Sequence, residues 1–451
     1  MLNTQSDMQS TKKKVKSLGN IFIFFIMCLM LLLWCASVFS TSFIDLSSSS
    51  QLENIIEIGT IFGMLGGFYL GIGLLLVAYF MRGILYLKAT IVLMSVFLIH
   101  TFIRIANHGF KPHLIIAICI IITTLTIFLW LIKKHPTPKN YIDEVHPDFK
   151  NSRFMSGNFK SPQRKKFINK YLEKMYEKAN VADNIEIKKH EIEGYDGRQI
   201  KVEVFQQKDA TDDTPCMIVY PGGAFWAKPI PTYKYFFNRY INGTGMKIVF
   251  VHYTLSLEAP YPAAVEDCYL ATLWTYENAR QIGVNKDKIA LYGISTGGTL
   301  VGSVTQMLRD RKQFKPCFQL LIYPMVDSKM NTRSAIKYKE MPIWKDDVFK
   351  DFLDFYLKNE NPKKYSPYAF PTLAKDFSNL PNAYIEVAQY DALRDEGEIY
   401  AKKLRKNHVQ VQFYEVKGAV HGFDIALKSE ITKAVFQRRI DILNKVFNEI
   451  E

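Results

Sequence analysis

The six cysteines, at positions 28, 35, 119, 216, 268 and 317, follow no ligand-like or framework spacing. That scatter excludes a disulfide-dependent secreted fold and a cysteine metal site, and leaves them as small buried hydrophobes. Clustered basic charge is missing as well. The net charge is +14, but it divides evenly: residues 1–140 carry 11 Lys and Arg against 4 Asp and Glu, and the rest of the chain supplies the other half. Without a basic stripe, nucleic acid is not an expected partner. Charge is also absent from the centres of four long apolar stretches, at about 20–39, 57–80, 84–106 and 113–132. That absence argues against ion or proton transport through them.

Each of the four stretches is near the ~20 residues that a helix needs to cross a hydrocarbon core. Lys88 and Arg104 lie near the ends of the third, where long side chains can snorkel, and His100 lies off-centre towards its outer end. Gly63, Gly66, Gly67, Gly71 and Gly73 in the second suit close helix–helix approach. Residues 20–132 therefore read as a membrane domain of four transmembrane helices behind a tail, 1–19. Lys12, Lys13, Lys14 and Lys16 precede the first span, Arg82 and Lys88 flank the second connection, and Lys133, Lys134 and Lys139 follow the fourth. The 40–56 loop has no Lys or Arg, so both termini are expected in the cytoplasm. A cleaved signal peptide is the competing reading of the first stretch. Its length, the three stretches that follow, and the lack of a small-x-small site before residue 42 argue against it.

Residues 133–160 are polar, contain Pro136, Pro138 and Pro147, and have no apolar period, as expected of a linker. Ser161-Pro162 opens a helix within 161–183. Phe167, Tyr171, Leu172 and Met175 share one apolar face of it, while Lys165, Lys166, Lys170 and Lys174 cover much of the rest. The expectation is that the apolar face packs on the following domain as a cap; the alternative lays the helix along an anionic membrane leaflet.

From residue 184 to 451 the pattern settles. Strand-like runs occur near 185–192, 199–206, 215–221, 247–253, 288–293, 318–324, 383–390 and 411–417. Helical runs fall near 232–242, 262–283, 297–310, 395–407 and 432–449. The alternation predicts an α/β domain with a mostly parallel sheet covered on both faces, whose functional residues lie on loops at the carboxyl ends of strands. The stretch 327–380, with a helix near 344–357, reads as an insertion over the site.

Between one strand and the next helix lies Gly293-Ile294-Ser295-Thr296-Gly297. A serine on such a sharp turn has an exposed hydroxyl, and a Cβ at either glycine would crowd the turn. Ester hydrolysis by Ser295 needs a base, a carboxylate to orient it, and donors for the oxyanion. His421, just past the last strand, is the histidine placed to be that base; His252 also ends a strand but precedes the serine. Asp391 ends a strand and is assigned to hold the imidazole, with Asp395 as an ordinary helix cap. Pro221-Gly222-Gly223-Ala224 follows the third strand, where adjacent glycines let N–H groups converge on an anion; Gly222, Gly223 and Ala224, with Thr296, form the expected oxyanion hole.

In order and spacing, Tyr220 to Trp226, Tyr253 to Ala264, Ala290 to Gly298, Tyr365 to Pro367 and Tyr390 to Leu404 resemble the hormone-sensitive-lipase-like branch of the α/β-hydrolases. Pro260 to Asp267 and Asp391 to Gly397 are the most specific segments. The resemblance implies an α/β-hydrolase fold with an eight-stranded sheet and a helical cap. It also implies a serine carboxylesterase or lipase acting on short- to medium-chain acyl esters, with no metal or cofactor. It covers roughly residues 150–450 and leaves the membrane region, 20–132, unexplained. Three departures stand out: His-Gly-Gly-Gly appears as Pro221-Gly222-Gly223-Ala224, Ile294 replaces an acidic residue, and Thr296 stands where alanine is common. Backbone donors survive Ala224, whereas Pro221 can shift the loop. The leading expectation is a membrane-anchored ester hydrolase facing the cytoplasm, its partners an ester substrate and the bilayer. The alternatives are a catalytically silent small-ligand-binding module of the same fold, and a lipid-handling role for the apolar region.

Overall fold

The eight strand-like runs become eight strands of a single sheet in the computed structural model of the protein. The structure describes residues 141–150 and 161–450, apart from 340, 342–348, 350–352 and 362–363. The four apolar stretches and the N-terminal tail lie outside the described residues, as do much of the linker and part of the expected 344–357 helix. Among the described residues no helix is long and apolar enough to cross a membrane.

The strands are β1 (Ile185–Glu193), β2 (Gln199–Gln207), β3 (Thr214–Tyr220), β4 (Lys247–His252), β5 (Val284–Ile294), β6 (Phe318–Ile322), β7 (Asn382–Ala388) and β8 (Val411–Val416). Their order is β1-β2-β4-β3-β5-β6-β7-β8. β2 runs antiparallel to both neighbours, and every pairing from β4 to β8 is parallel. The helices are α1 (Pro162–Lys178), α2 (Thr232–Thr244), α3 (Ala263–Glu277), α4 (Thr296–Asp310), α5 (Arg333–Lys337), α6 (Arg394–Lys406) and α7 (Glu430–Asn448). Central strands are largely apolar because both faces are covered: β6 is buried at every residue, its Gln319 donating to the Pro381 carbonyl, and β3 from Cys216 to Tyr220. One core cluster contains residues of α3, α4 and α6; the other contains residues of α2 and α7.

Two segments differ from the sequence expectation. Ser161 caps α1 as expected, its hydroxyl accepting the Arg164 N–H at 3.2 Å. The apolar face of α1 does not pack, however: Phe167, Tyr171 and Met175 are exposed, and Lys165, Asn169 and Tyr176 are the buried residues. The burial has specific partners. The Lys165 ammonium lies over the Trp226 and Phe355 rings, and Tyr176 donates to Glu203 at 2.8 Å. The second segment is the start of the described chain, expected to be linker. Val145 and Phe149 are buried, Phe149 meets the Phe423 ring edge-on at 5.8 Å, and the His146 N–H donates to the Gly418 carbonyl at 2.9 Å.

Candidate active site

Loops at the carboxyl ends of β3, β5, β7 and β8 bring the site together. After β5 the chain turns sharply into α4, leaving Ser295 at φ 56° and ψ −120°. A left-handed φ at a non-glycine residue is strained and persists only where surroundings fix it. Here the Ser295 N–H donates to the Ile322 carbonyl at 2.9 Å, and its own carbonyl accepts the Gly298 N–H at 2.9 Å. The flanking glycines are sterically required. A Cβ on Gly293 would fall 2.1 Å from the Gly297 carbonyl oxygen, and one on Gly297 2.1 Å from the Tyr220 carbonyl oxygen.

Ser295, His421 and Asp391 converge. His421 Nε2 lies 2.9 Å from Ser295 Oγ, and His421 Nδ1 lies 2.7 Å from Asp391 Oδ2. The carboxylate can only accept, so the ring proton belongs on Nδ1 and Nε2 is left to accept the serine proton. Asp391 is held by the Leu393 N–H, 2.9 Å from Oδ1. The three side chains are nearly dry: 8% of Ser295, 4% of His421 and 1% of Asp391 is exposed. An imidazole is thus tethered to a fixed carboxylate on one side and to a strained hydroxyl on the other, as proton transfer from an attacking serine requires.

The loop after β3 closes on this group. Gly222 packs against Ser295, since a Cβ there would lie 2.7 Å from the Ile294 carbonyl oxygen and 3.3 Å from Ser295 Cβ. Gly223, Ala224 and Phe225 all have positive φ, at 130°, 51° and 58°. Main-chain N–H groups of a tight turn can gather round an anion. Among the described residues no carbonyl accepts the N–H of Gly223, Ala224 or Thr296. Gly222 departs from the expectation that it shares in the oxyanion hole: its N–H donates to the Tyr233 hydroxyl at 2.8 Å. It supplies close approach instead of a donor, because any side chain would collide with the turn carrying Ser295.

Other loop anchors carry no motif signal. The Tyr253 hydroxyl donates to the Pro221 carbonyl at 2.9 Å, and Ser256 N–H to the Phe225 carbonyl at 2.8 Å. Asn169 of α1 donates to the Trp226 carbonyl at 2.7 Å and accepts the Lys228 N–H at 3.0 Å. Phe225 stacks flat on Tyr356 of the insertion, ring centroids 3.8 Å apart. Burial pushes the Tyr233 and Tyr253 hydroxyls well above their ordinary range, so both remain protonated hydrogen-bonding groups. A cavity of about 360 Å³ adjoins the loop, lined by Pro221, Tyr253, Leu255, Tyr176, Lys201 and His252.

The histidine loop is braced from below. The Tyr323 ring meets His421 edge-on at 4.7 Å, and its hydroxyl donates to Asp424 at 2.6 Å. Asp424 in turn takes the Arg439 guanidinium at 3.3 Å, and Arg439 is fully buried between Asp424 and Glu386. Asp395 is not the cap of its own helix. Its carboxylate accepts the Ser334 N–H at 2.8 Å, in the first turn of α5, and the Arg394 guanidinium, so it ties the insertion to α6. Among the described residues no group of His, Cys, Asp and Glu is arranged to hold a metal ion.

A mostly parallel eight-stranded sheet with its serine turn after β5 and its histidine after β8 defines an α/β-hydrolase. Residues 217–425 match a family model for the alpha/beta hydrolase fold. An arylesterase of Saccharolobus solfataricus is 32% identical over 257 residues, covering 57% of this chain and 82% of that protein. The carboxylesterase NlhH of Mycobacterium tuberculosis is 32% identical over 51% of this chain and 73% of its own length. Among solved structures, a hyperthermophilic esterase from Pyrobaculum calidifontis superposes with a TM-score of 0.61 at 30% identity, over 67% of this chain and 98% of that one. The chain belongs to the hormone-sensitive-lipase-like esterase family of the α/β-hydrolases, and it is a carboxylesterase-type hydrolase.

Proposed function

We propose that the protein is a membrane-anchored serine esterase working through an acyl-enzyme, and that Ser295, His421 and Asp391 carry the reaction. Ser295 Oγ attacks the acyl carbonyl carbon while its proton passes to His421 Nε2. The carbonyl oxygen becomes an oxyanion held by the N–H groups of Gly223, Ala224 and Thr296. Collapse breaks the bond to the alcohol oxygen, which leaves with the proton from His421. Water, deprotonated by the same nitrogen, then attacks the acyl carbon; the bond to Ser295 Oγ breaks, His421 returns the proton to Oγ, and the acid is released. Asp391 keeps the ring in the productive tautomer and stabilises the imidazolium. Short- to medium-chain acyl esters or acylglycerol-like lipids are the proposed substrates.

The observation that carries this reading is the unbroken run from Asp391 through His421 to Ser295, at 2.7 and 2.9 Å. Anchoring through four spans within residues 20–132, with a linker at 133–160 and the catalytic part, 184–451, in the cytoplasm, is supported by the apolar runs and the lysine asymmetry of the sequence alone. The test is fluorophosphonate labelling of the purified chain, followed by a series of p-nitrophenyl esters of increasing acyl length. Labelling should be complete in the parent and absent from Ser295→Ala, which removes one hydroxyl and leaves the fold intact. Full labelling of Ser295→Ala would refute the nucleophile assignment.

A further inference from the structure

We propose that the outward face of α1 is a docking surface for an anionic lipid bilayer. Phe167 is 74% exposed, Tyr171 59% and Met175 40%. Spaced by four, they form one row along the helix. Arg164, Lys170, Lys174 and Lys178 stand three residues before and three, seven and eleven after Phe167, on the same side, and all four are exposed. Of the two acidic residues of the helix, Glu173 is paired with Lys228, and Glu177 lies beside Lys170 and Lys174 on the flank of the row, outnumbered by the four cations. The inner face is committed elsewhere, through Lys165 against Trp226 and Phe355, Asn169 on the loop after β3, and Tyr176 on Glu203. The helix therefore cannot roll to hide its aromatic row.

Exposed aromatics interleaved with cations suit the headgroup region of a bilayer, where rings enter the interface and lysines meet lipid phosphates. A protein partner fits less well. The row is one side chain wide and edged by charge, far short of the roughly 800 Å² that each side of a stable protein interface covers. The face itself stands on its own residues and does not depend on the proposed spans.

The test uses the full chain with vesicles of phosphatidylcholine, and of phosphatidylcholine with one-quarter phosphatidylglycerol. An environment-sensitive fluorescent amino acid replaces Tyr171, and in a separate control Lys402 on the exposed side of α6. Flotation reports whether the chain is anchored; quenching by brominated acyl chains reports whether α1 enters the interface. On the anionic vesicles the probe at 171 should shift to the blue and be quenched by brominated lipid, while the probe at 402 should not. The triple change Arg164→Glu, Lys170→Glu and Lys174→Glu should remove most of that quenching. Flotation with the 171 probe open to aqueous iodide would overturn docking and leave anchoring intact. Loss of flotation on neutral vesicles, with quenching kept on anionic ones, would do the reverse. Shielding of residue 171 from both quenchers would mean that protein covers the face, and would also overturn the proposal.

Discussion

Gly222 gives its main-chain N–H to the hydroxyl of Tyr233, 2.8 Å away, on the loop that packs against Ser295. The contact binds a backbone that must hold positive φ at the next three residues, Gly223, Ala224 and Phe225. Tyr233→Phe keeps the ring packing and leaves that part-buried N–H without its partner, a cost of about 1 kcal/mol. A loop displaced by a fraction of an ångström misplaces the oxyanion donors, so kcat should fall roughly 10- to 100-fold with little change in KM. Steady-state kinetics on p-nitrophenyl butyrate, with a denaturation curve, would test this. An unchanged kcat alongside lowered stability would show that the loop holds its shape without Tyr233.

The two aspartates of the β7–α6 turn should separate cleanly. Asp391→Asn offers the Nδ1–H of His421 a group that can donate, favours the wrong tautomer, and should lower kcat by about 10⁴. Asp395 touches Ser334 and Arg394 instead. Asp395→Asn should cost roughly 1–3 kcal/mol of stability, from weakened charged hydrogen bonds, and leave kcat within about tenfold. The reverse ordering in paired kinetic and unfolding measurements would exchange their roles.

Where burial and spacing act together, the sequence was legible. β6, buried along its whole length, is apolar but for Gln319, and the glycines around Ser295 mark the turn because nothing larger fits there. Partners distant in the chain were not legible. Asp395 sits in the first turn of α6, where a cap is the ordinary reading, yet its acceptor role reaches 61 residues back to Ser334. Helical spacing located the apolar face of α1 without telling what lies against it, and Lys165 is buried because aromatic rings receive its ammonium. Residues 145–149 show no period, since only two side chains, Val145 and Phe149, anchor them. Gly222 could be placed in the loop by motif, but not its Tyr233 partner, which lies in the following helix.

Arg439 is fully buried between Glu386 and Asp424 and also reaches the Tyr240 and Tyr292 hydroxyls. Arg439→Met would leave two buried carboxylates without their cation. That should destabilise the protein by roughly 3–5 kcal/mol, the cost of removing one partner of a buried charge pair. Asp424 lies three residues beyond His421, so kcat should drop more than KM changes. Urea unfolding and kinetics at low denaturant would check both. A stability loss under about 1 kcal/mol would mean that the carboxylates find other partners or take up protons at little cost.

Glu203 gives a prediction in pH. Burial opposes its charge, but the hydrogen bond from His252, that from Tyr176 and the nearby Lys201 prevail, and the carboxyl is held at about 2 instead of its ordinary 4.5. A depressed carboxyl stabilises the fold in full above its unfolded value and loses that contribution as pH falls from 4.5 towards 2. His252 works in the same direction. Burial lowers its pKa below 6.5 despite Glu203, so the neutral ring favours the folded state and acid erodes that too. Gln at position 203 resembles the protonated acid. At pH 7, Glu203→Gln should therefore be less stable than the parent by on the order of 3 kcal/mol. The gap should begin to close below pH 4.5 and vanish near pH 2. Guanidinium titrations of the two proteins at pH 7, 5, 4 and 3 measure the gap directly. A difference that stays constant across that range would show that Glu203 contributes through packing alone and not through its charge.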